Sequence, residues 1–230
     1  MTATTAVAGL LPVRLSSTRC PRKNLRPFGD TTLFEHALRR FLKSREFSNL
    51  YVAAYEDEVK EVADRYSGFT WIQRSRASAF GEDLKTIYDF LEQIPERYIA
   101  TVNSCFPFVK VDTYDAAIRY YRTRLDPSMI GAYPLPGWIF SPDRTKLMTP
   151  IDSGSINSKD LPTFWKASHA VFCWDKQRVI DEGRIWSLTQ DDPHLYPMPE
   201  DECIDIDTEL EFEIAEALYV QRRAKNPQEW

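Results

Sequence analysis

Short apolar runs alternate with amphipathic segments through the first half of the chain, and that alternation is the main structural signal. Residues 6–12 form a continuous apolar run, which predicts a buried strand. Residues 13–30 show no apolar period, are rich in basic and hydroxyl side chains, and read as a long loop. Thr32 and Glu35 make a capping pair ahead of Phe34, Ala37, Leu38 and Phe41, which share one helical face. A second strand is expected at 49–55, a short polar-faced helix at 56–66 and a third strand at 69–73. Residues 83–93 place Leu84, Ile87, Tyr88 and Leu91 at helical spacing. A fourth strand follows at 98–102, and a helix at 113–124 with Tyr114, Ile118 and Tyr121 inward. Strands that alternate with helices imply a mainly parallel sheet with right-handed crossovers.

The second half is less regular. Residues 129–148 carry Pro134, Pro136, Gly137 and Pro142 among aromatics and read as extended chain and turns; 149–161 reads as an irregular loop. Strands are expected at 169–174 and 202–206, and a short helix at 175–181. The final helix, 208–220, is capped by Thr208 with Glu211, and its apolar face is read as Leu210, Ile214, Ala217 and Leu218.

Composition narrows the class. The 230 residues are 43% apolar and 27% charged, which suits one α/β domain spanning 1–230 with a substantial core; only 225–230 are expected to fray. A net charge of −5 disfavours a nucleic-acid partner. Cys20, Cys105, Cys173 and Cys203 lie far apart, without the paired spacing of a zinc site, and are expected as reduced thiols in a cytoplasmic protein. The apolar run at 6–13 lacks a basic lead-in and is not read as a signal peptide, and no segment approaches the roughly 20 apolar residues that span a bilayer, so no membrane partner is expected.

Chemistry concentrates at two places. In an open parallel sheet, ligands bind outside the carboxyl ends of the strands, so the loop after the first strand is a prime candidate. There Pro12, Arg14, Ser16, Ser17, Thr18, Arg19, Arg22, Lys23 and Asn24 gather hydroxyls and cations suited to a small polyanion, although a solvated basic loop also fits. Neither a P-loop nor a Gly-x-Gly-x-x-Gly pattern is present. The second place is Asp205 and Asp207. At a spacing of two in extended chain both carboxylates project from one side, an arrangement suited to Mg²⁺ shared with substrate phosphates; the alternative is a helix-capping Asp207 and a solvated Asp205. Among the histidines, His36 reads as a surface residue and His194 as part of a Pro-rich loop. His169 is read as structural or as lining a pocket.

Together these segments resemble the cytidylyltransferases that activate sialic acids and related ulosonic acids such as Kdo. Arg14, Ser17, Pro21, Lys23 and Asn24 match the N-terminal motif that wraps the CTP phosphates, and 204–210 with Ala215-Glu216 is similar to the metal motif and closing helix. The resemblance implies a Rossmann-like three-layer α/β/α nucleotidyltransferase fold with a mostly parallel sheet. It implies nucleotide binding by Leu11, Pro12, Arg14, Ser17, Lys23, Asn24, Arg74 and Asn103, with Mg²⁺ on Asp205 and Asp207. It further implies a homodimer in which 129–161 forms a dimerisation and acceptor-site arm, a long surface loop being the alternative for that stretch. Lys166, Ser168 and His169 fall in the acceptor segment, with Lys166 expected to pair with the acceptor's anion. That segment departs from the pattern, as does Ala54-Tyr55-Glu56 after the second strand, so the reaction is expected on a different acid, a phosphonate or an unusual sugar acid. In the expected mechanism CTP gives CMP to a small anionic acceptor, with Arg14, Arg19 and Lys23 neutralising the departing pyrophosphate. The rival readings are a nucleotide-sugar glycosyltransferase, which also uses Asp-x-Asp, and a non-catalytic nucleotide-binding homologue.

Overall fold

The computed structural model describes residues 5–125, 127–150, 157 and 161–227. Strand β1 (Val7–Pro12) is central, and the small β2 (Pro27–Phe28) and β3 (Thr31–Thr32) form a separate hairpin within the expected loop. Then come α1 (Leu33–Phe41), β4 (Leu50–Ala54), α2 (Asp57–Ala63), β5 (Thr70–Gln73), α3 (Arg76–Phe80), α4 (Leu84–Ile87), β6 (Tyr98–Val102) and α5 (Val111–Arg124). The remainder is β7 (Ser128–Leu135), β8 (Phe164–Asp175), α6 (Lys176–Glu182), β9 (His194–Pro197) and α7 (Glu209–Lys225).

The seven-stranded sheet has the order β5-β4-β1-β6-β8-β7-β9. Its pairs are parallel except where β8 runs against β6 and β7. The expected mostly parallel sheet is therefore what forms. The chain moves outward from β1 through β4 to β5, then returns to the other side of β1 as β6, which opens a crevice between the carboxyl ends of β1 and β6.

Alternate residues of β1 feed two core layers. Val7 and Leu11 pack with Phe34, Phe41 and Tyr121 on one face; Ala8 and Leu10 pack with Phe90, Trp174 and Val179 on the other. Between them Gly9 lets Phe41 lie on the strand: a Cβ there would stand 2.5 Å from the Phe41 ring. A third cluster joins Phe212, Ala215 and Tyr219 of α7 to Phe28, Phe108 and Ile206, bringing the end of the chain against the loop after β1.

Several expected elements differ. Residues 83–93 form α4 and a separate 3₁₀ turn at Leu91–Gln93, because the Ile87 carbonyl accepts from Ser78 Oγ at 2.6 Å and from Arg74. Residues 202–206 form no strand: the Ile206 carbonyl is taken by Lys23, and its N–H donates to the Cys105 carbonyl at 3.0 Å. The buried side of α7 is Phe212, Ala215 and Tyr219, leaving Leu210, Ile214 and Ala217 exposed. His36 is buried, with Nε2 2.9 Å from the Pro107 carbonyl oxygen, and His194 lies on β9 beside the Tyr120 hydroxyl. Much of the expected loop at 149–161 lies outside the described residues.

Candidate active site

The loop after β1 is shaped by its own polar groups. Asn24 donates from Nδ2 to the Arg14 carbonyl at 2.9 Å and accepts from Ser104 Oγ at 2.7 Å, tying the loop to the segment after β6. The Arg74 guanidinium is buried. It donates to Ser78 Oγ, to the Ser78 carbonyl and to the Val13 carbonyl, at 3.0, 2.5 and 3.3 Å. It braces the β1 and β5 ends from beneath. Arg22 turns away from the loop and pairs with Glu58.

At the far end of the chain, the Thr208–Glu211 capping box fixes the backbone that presents Asp207. Glu211 accepts from the Asp207 and Thr208 N–H groups at 2.9 and 2.8 Å. Lys23, buried against this segment, donates to the Ile206 carbonyl and lies 3.3 Å from Asp207 Oδ1. Arg19, largely exposed, pairs with Asp207 Oδ2 at 2.8 Å. Burial works against the Lys23 charge, but Cys105 and Asp207 outweigh it and raise its pKa, so the ammonium persists. Asp205 moves the opposite way from an ordinary carboxylate. Burial, then repulsion from Asp207, pushes it up to about 6.

These groups line one cavity of about 720 Å³ in the β1–β6 crevice, within the usual size range of small-molecule sites. Pro12, Arg14, Ser17, Arg19, Lys23, Asn24, Arg74, Asn103, His169, Asp205 and Asp207 all contribute to its wall. Three expected residues stand elsewhere. The Leu11 side chain points into the core. Ser168 is buried, accepting from the Ala170 N–H at 3.3 Å and lying against the Cys203 thiol. Lys166 lies over the Tyr133 ring, 5.7 Å from its centroid; it is off the cavity wall, though it feels the charge of Asp205.

The sequence reading missed Tyr88, Phe172 and Trp186. His169 and Phe172 reach the same wall despite a spacing of three, which in a regular strand puts them on opposite faces. The register of β7 on β8 jumps here, Ile130 pairing with Phe172 and Gly131 with Ser168, and the bulge re-aims both rings. Only a pairing partner reveals such a bulge.

Asp205 and Asp207 repel each other on the cavity wall, and Asp207 is already paired with Lys23 and Arg19; a Mg²⁺ ion there would take over those pairings and complete its shell with phosphate oxygens and water. Among the described residues no group of three or more His, Cys, Asp or Glu could hold a metal ion; Asp205 and Asp207 are a pair of carboxylates, not such a group.

Comparison with known proteins places this geometry in context. A family model described as cytidylyltransferase matches residues 8–163. The chain is similar to 3-deoxy-manno-octulosonate cytidylyltransferase of Rickettsia bellii, 30% identical over 111 residues, covering 46% of this chain and 44% of the relative. It is also similar to the enzyme of that name from Rickettsia felis, 29% identical over 120 residues, covering 50% and 47%. The match thus spans less than half the length of these curated relatives. Among solved structures, a CMP:2-keto-3-deoxy-manno-octonic acid synthetase complexed with CTP superposes with a TM-score of 0.69 at 12% identity, over 95% of this chain and 100% of the other. The 4-diphosphocytidyl-2C-methyl-D-erythritol synthase of Anaerococcus prevotii gives 0.66 at 14%, over 95% and 97%. At these identities the superpositions show a shared nucleotidyltransferase fold.

Proposed function

Since the chain belongs to the cytidylyltransferase family, we propose that it transfers CMP from CTP to a small acidic acceptor and releases pyrophosphate. The observation that carries this reading is the approach of Lys23 Nζ to 3.3 Å from Asp207 Oδ1, across nearly the whole sequence. It sets the basic loop and the carboxylate pair on one cavity.

The reaction needs positioning and charge compensation rather than a covalent intermediate. Arg14, whose guanidinium has no ion-pair partner among the described residues, is available to the triphosphate; Arg19 is exposed enough to swing from Asp207 to a phosphate. Lys23, Arg14 and Arg19 then stabilise the negative charge that grows on the departing pyrophosphate. Ser17 and Asn24 set the loop's shape: the Ser17 hydroxyl accepts from the Cys20 N–H at 3.4 Å, while Asn24 ties the loop to Ser104. Asn103, with its Oδ1 accepting from the Cys105 N–H at 3.0 Å, would donate from its amide nitrogen to the polar edge of cytosine. Asp205 and Asp207 would hold Mg²⁺, which would supply Lewis-acid polarisation of a phosphate when bound.

The acceptor is read as an ulosonic acid or a phosphonate, the former supported by the names of the relatives, the latter by the altered acceptor wall. The first residues of the expected 129–161 arm belong to the sheet as β7, so a homodimer is proposed through the segment beyond it, where Trp138 and Phe140 are 40% and 57% exposed. Large apolar side chains left in solvent suit a protein contact. Among the described residues no helix is long and apolar enough to cross a membrane, and the four cysteines are unpaired, which suits the proposed cytoplasmic setting. Incubation with CTP, Mg²⁺ and a panel of ulosonic acids and phosphonates, followed by pyrophosphate release, tests the reading. The expected result is release that needs both CTP and one acceptor class. Absence of CTP binding by calorimetry, together with no release, removes it.

A further inference from the structure

The cavity is chemically divided. All of its charged side chains come from the loop after β1, from Arg74 and from the Asp205–Asp207 segment. The wall built by β8 and the turn after α6 offers rings and an aliphatic chain: His169, Phe172, Ile185 and Trp186. The Phe172 and Trp186 rings lie 5.3 Å apart at 44°, and His169 meets Phe172 edge-on at 5.9 Å and Trp186 at 6.0 Å. Burial lowers the pKa of His169, so the imidazole is neutral at pH 7.5. Lys166, the cation expected to meet an acceptor here, is drawn away onto Tyr133.

A wall of ring faces without an ion does not recognise an anion or the hydrogen-bonding edge of a base. It desolvates C–H surface. The polar groups fit to read cytosine, above all Asn103, stand on the segment after β6. Resting on the transfer reaction proposed above, we infer that the acceptor is a small acid with an apolar face, which packs on His169, Phe172 and Trp186, and that Trp186 selects it. The acid group faces the ionic half; the carbon body fills the ring half. A fully hydroxylated sugar acid would leave its hydroxyls unpaired against these rings.

The test uses straight-chain alkylphosphonates, methyl to butyl, titrated calorimetrically into the whole protein with and without the α,β-methylene analogue of CTP. CTP itself is titrated separately. Affinity is expected to rise roughly three- to fourfold per added methylene. Trp186→Ala is expected to flatten the series while leaving CTP affinity within about twofold of wild type, whereas Trp186→Phe keeps most of the slope. A flat or absent series in wild type overturns the inference. So does a Trp186→Ala protein that loses CTP affinity and keeps the slope, since the rings would then hold the base. A rising series in a protein that binds no CTP upholds the apolar subsite and removes the cytidylyl reading instead.

Discussion

Replacing Lys23 by Ala separates a tether from a phosphate ligand. The residue is 7% exposed, and its side chain does two things in the folded protein. Its ammonium donates to the Ile206 carbonyl, and it lies 3.3 Å from an Asp207 carboxylate that Arg19 also engages. A hydrogen bond from a charged donor contributes about 1.5–3 kcal/mol. The Asp207 contact, partly solvated and shared, adds under about 1 kcal/mol. The variant should therefore lose roughly 2–3 kcal/mol, a drop in Tm of about 4–12 °C for a chain of this size. Against a typical stability of about 5–15 kcal/mol, well over nine-tenths of the protein stays folded at 20 °C. Loss of a cation from the departing pyrophosphate costs on the order of 10²–10³ in turnover, far more than that unfolding can explain. The assay is pyrophosphate release as a function of CTP at 20 °C, paired with thermal melts with and without CTP. Wild type should melt higher with CTP; Lys23→Ala should not. Lys23→Met, which keeps the aliphatic stem, should recover part of the Tm and none of the turnover. Turnover within tenfold of wild type, alongside the expected fall in Tm, would show that Lys23 only ties the loop to the end of the chain.

Three further outcomes follow from particular groups. Asp205 has its folded pKa raised to about 6 from 3.8, so its ionised form opposes folding above that range; Asp205→Asn should raise Tm at pH 7.5 in metal-free buffer, seen by differential scanning, while abolishing Mg²⁺-dependent turnover. Asp192 accepts from Ser128 Oγ at 2.6 Å and the Ser187 N–H at 2.9 Å, and pairs with Arg178 at 2.8 Å; Asp192→Asn should cost about 3 kcal/mol in urea denaturation by leaving Arg178 poorly matched. His36 has its pKa lowered well below 6.5 by burial, then by Arg40, so the unfolded chain binds a proton that the folded one refuses. Stability is complete above pH 6.5 and falls as pH drops below it, by up to about 1.4 kcal/mol per unit; His36→Gln should remove that share of the slope in melts between pH 7 and 5.

The amino-acid sequence alone determined the parts written in local chemistry. Apolar periodicity placed β1, β4, β5 and β6 within a residue or two, and Thr32 and Thr208 marked two helix starts through their capping oxygens. The basic loop and the Asp205–Asp207 pair stood out as candidates, each with a solvated or capping alternative until the family resemblance favoured them, and both line the cavity. Tertiary structure decided the rest. It took Ile206 out of a strand by giving its carbonyl to Lys23, and it broke 83–93 by giving the Ile87 carbonyl to Ser78. It turned Ser168 inward and brought His169 and Phe172 to one cavity wall through one bulge in β8, and it chose Phe212, Ala215 and Tyr219 over Leu210 and Ile214 as the buried side of α7. Each of these turns on which distant group claims a carbonyl, a register or a helix face. A one-dimensional pattern holds the demand of every polar group for a partner, while the partner is chosen only when the whole chain has packed.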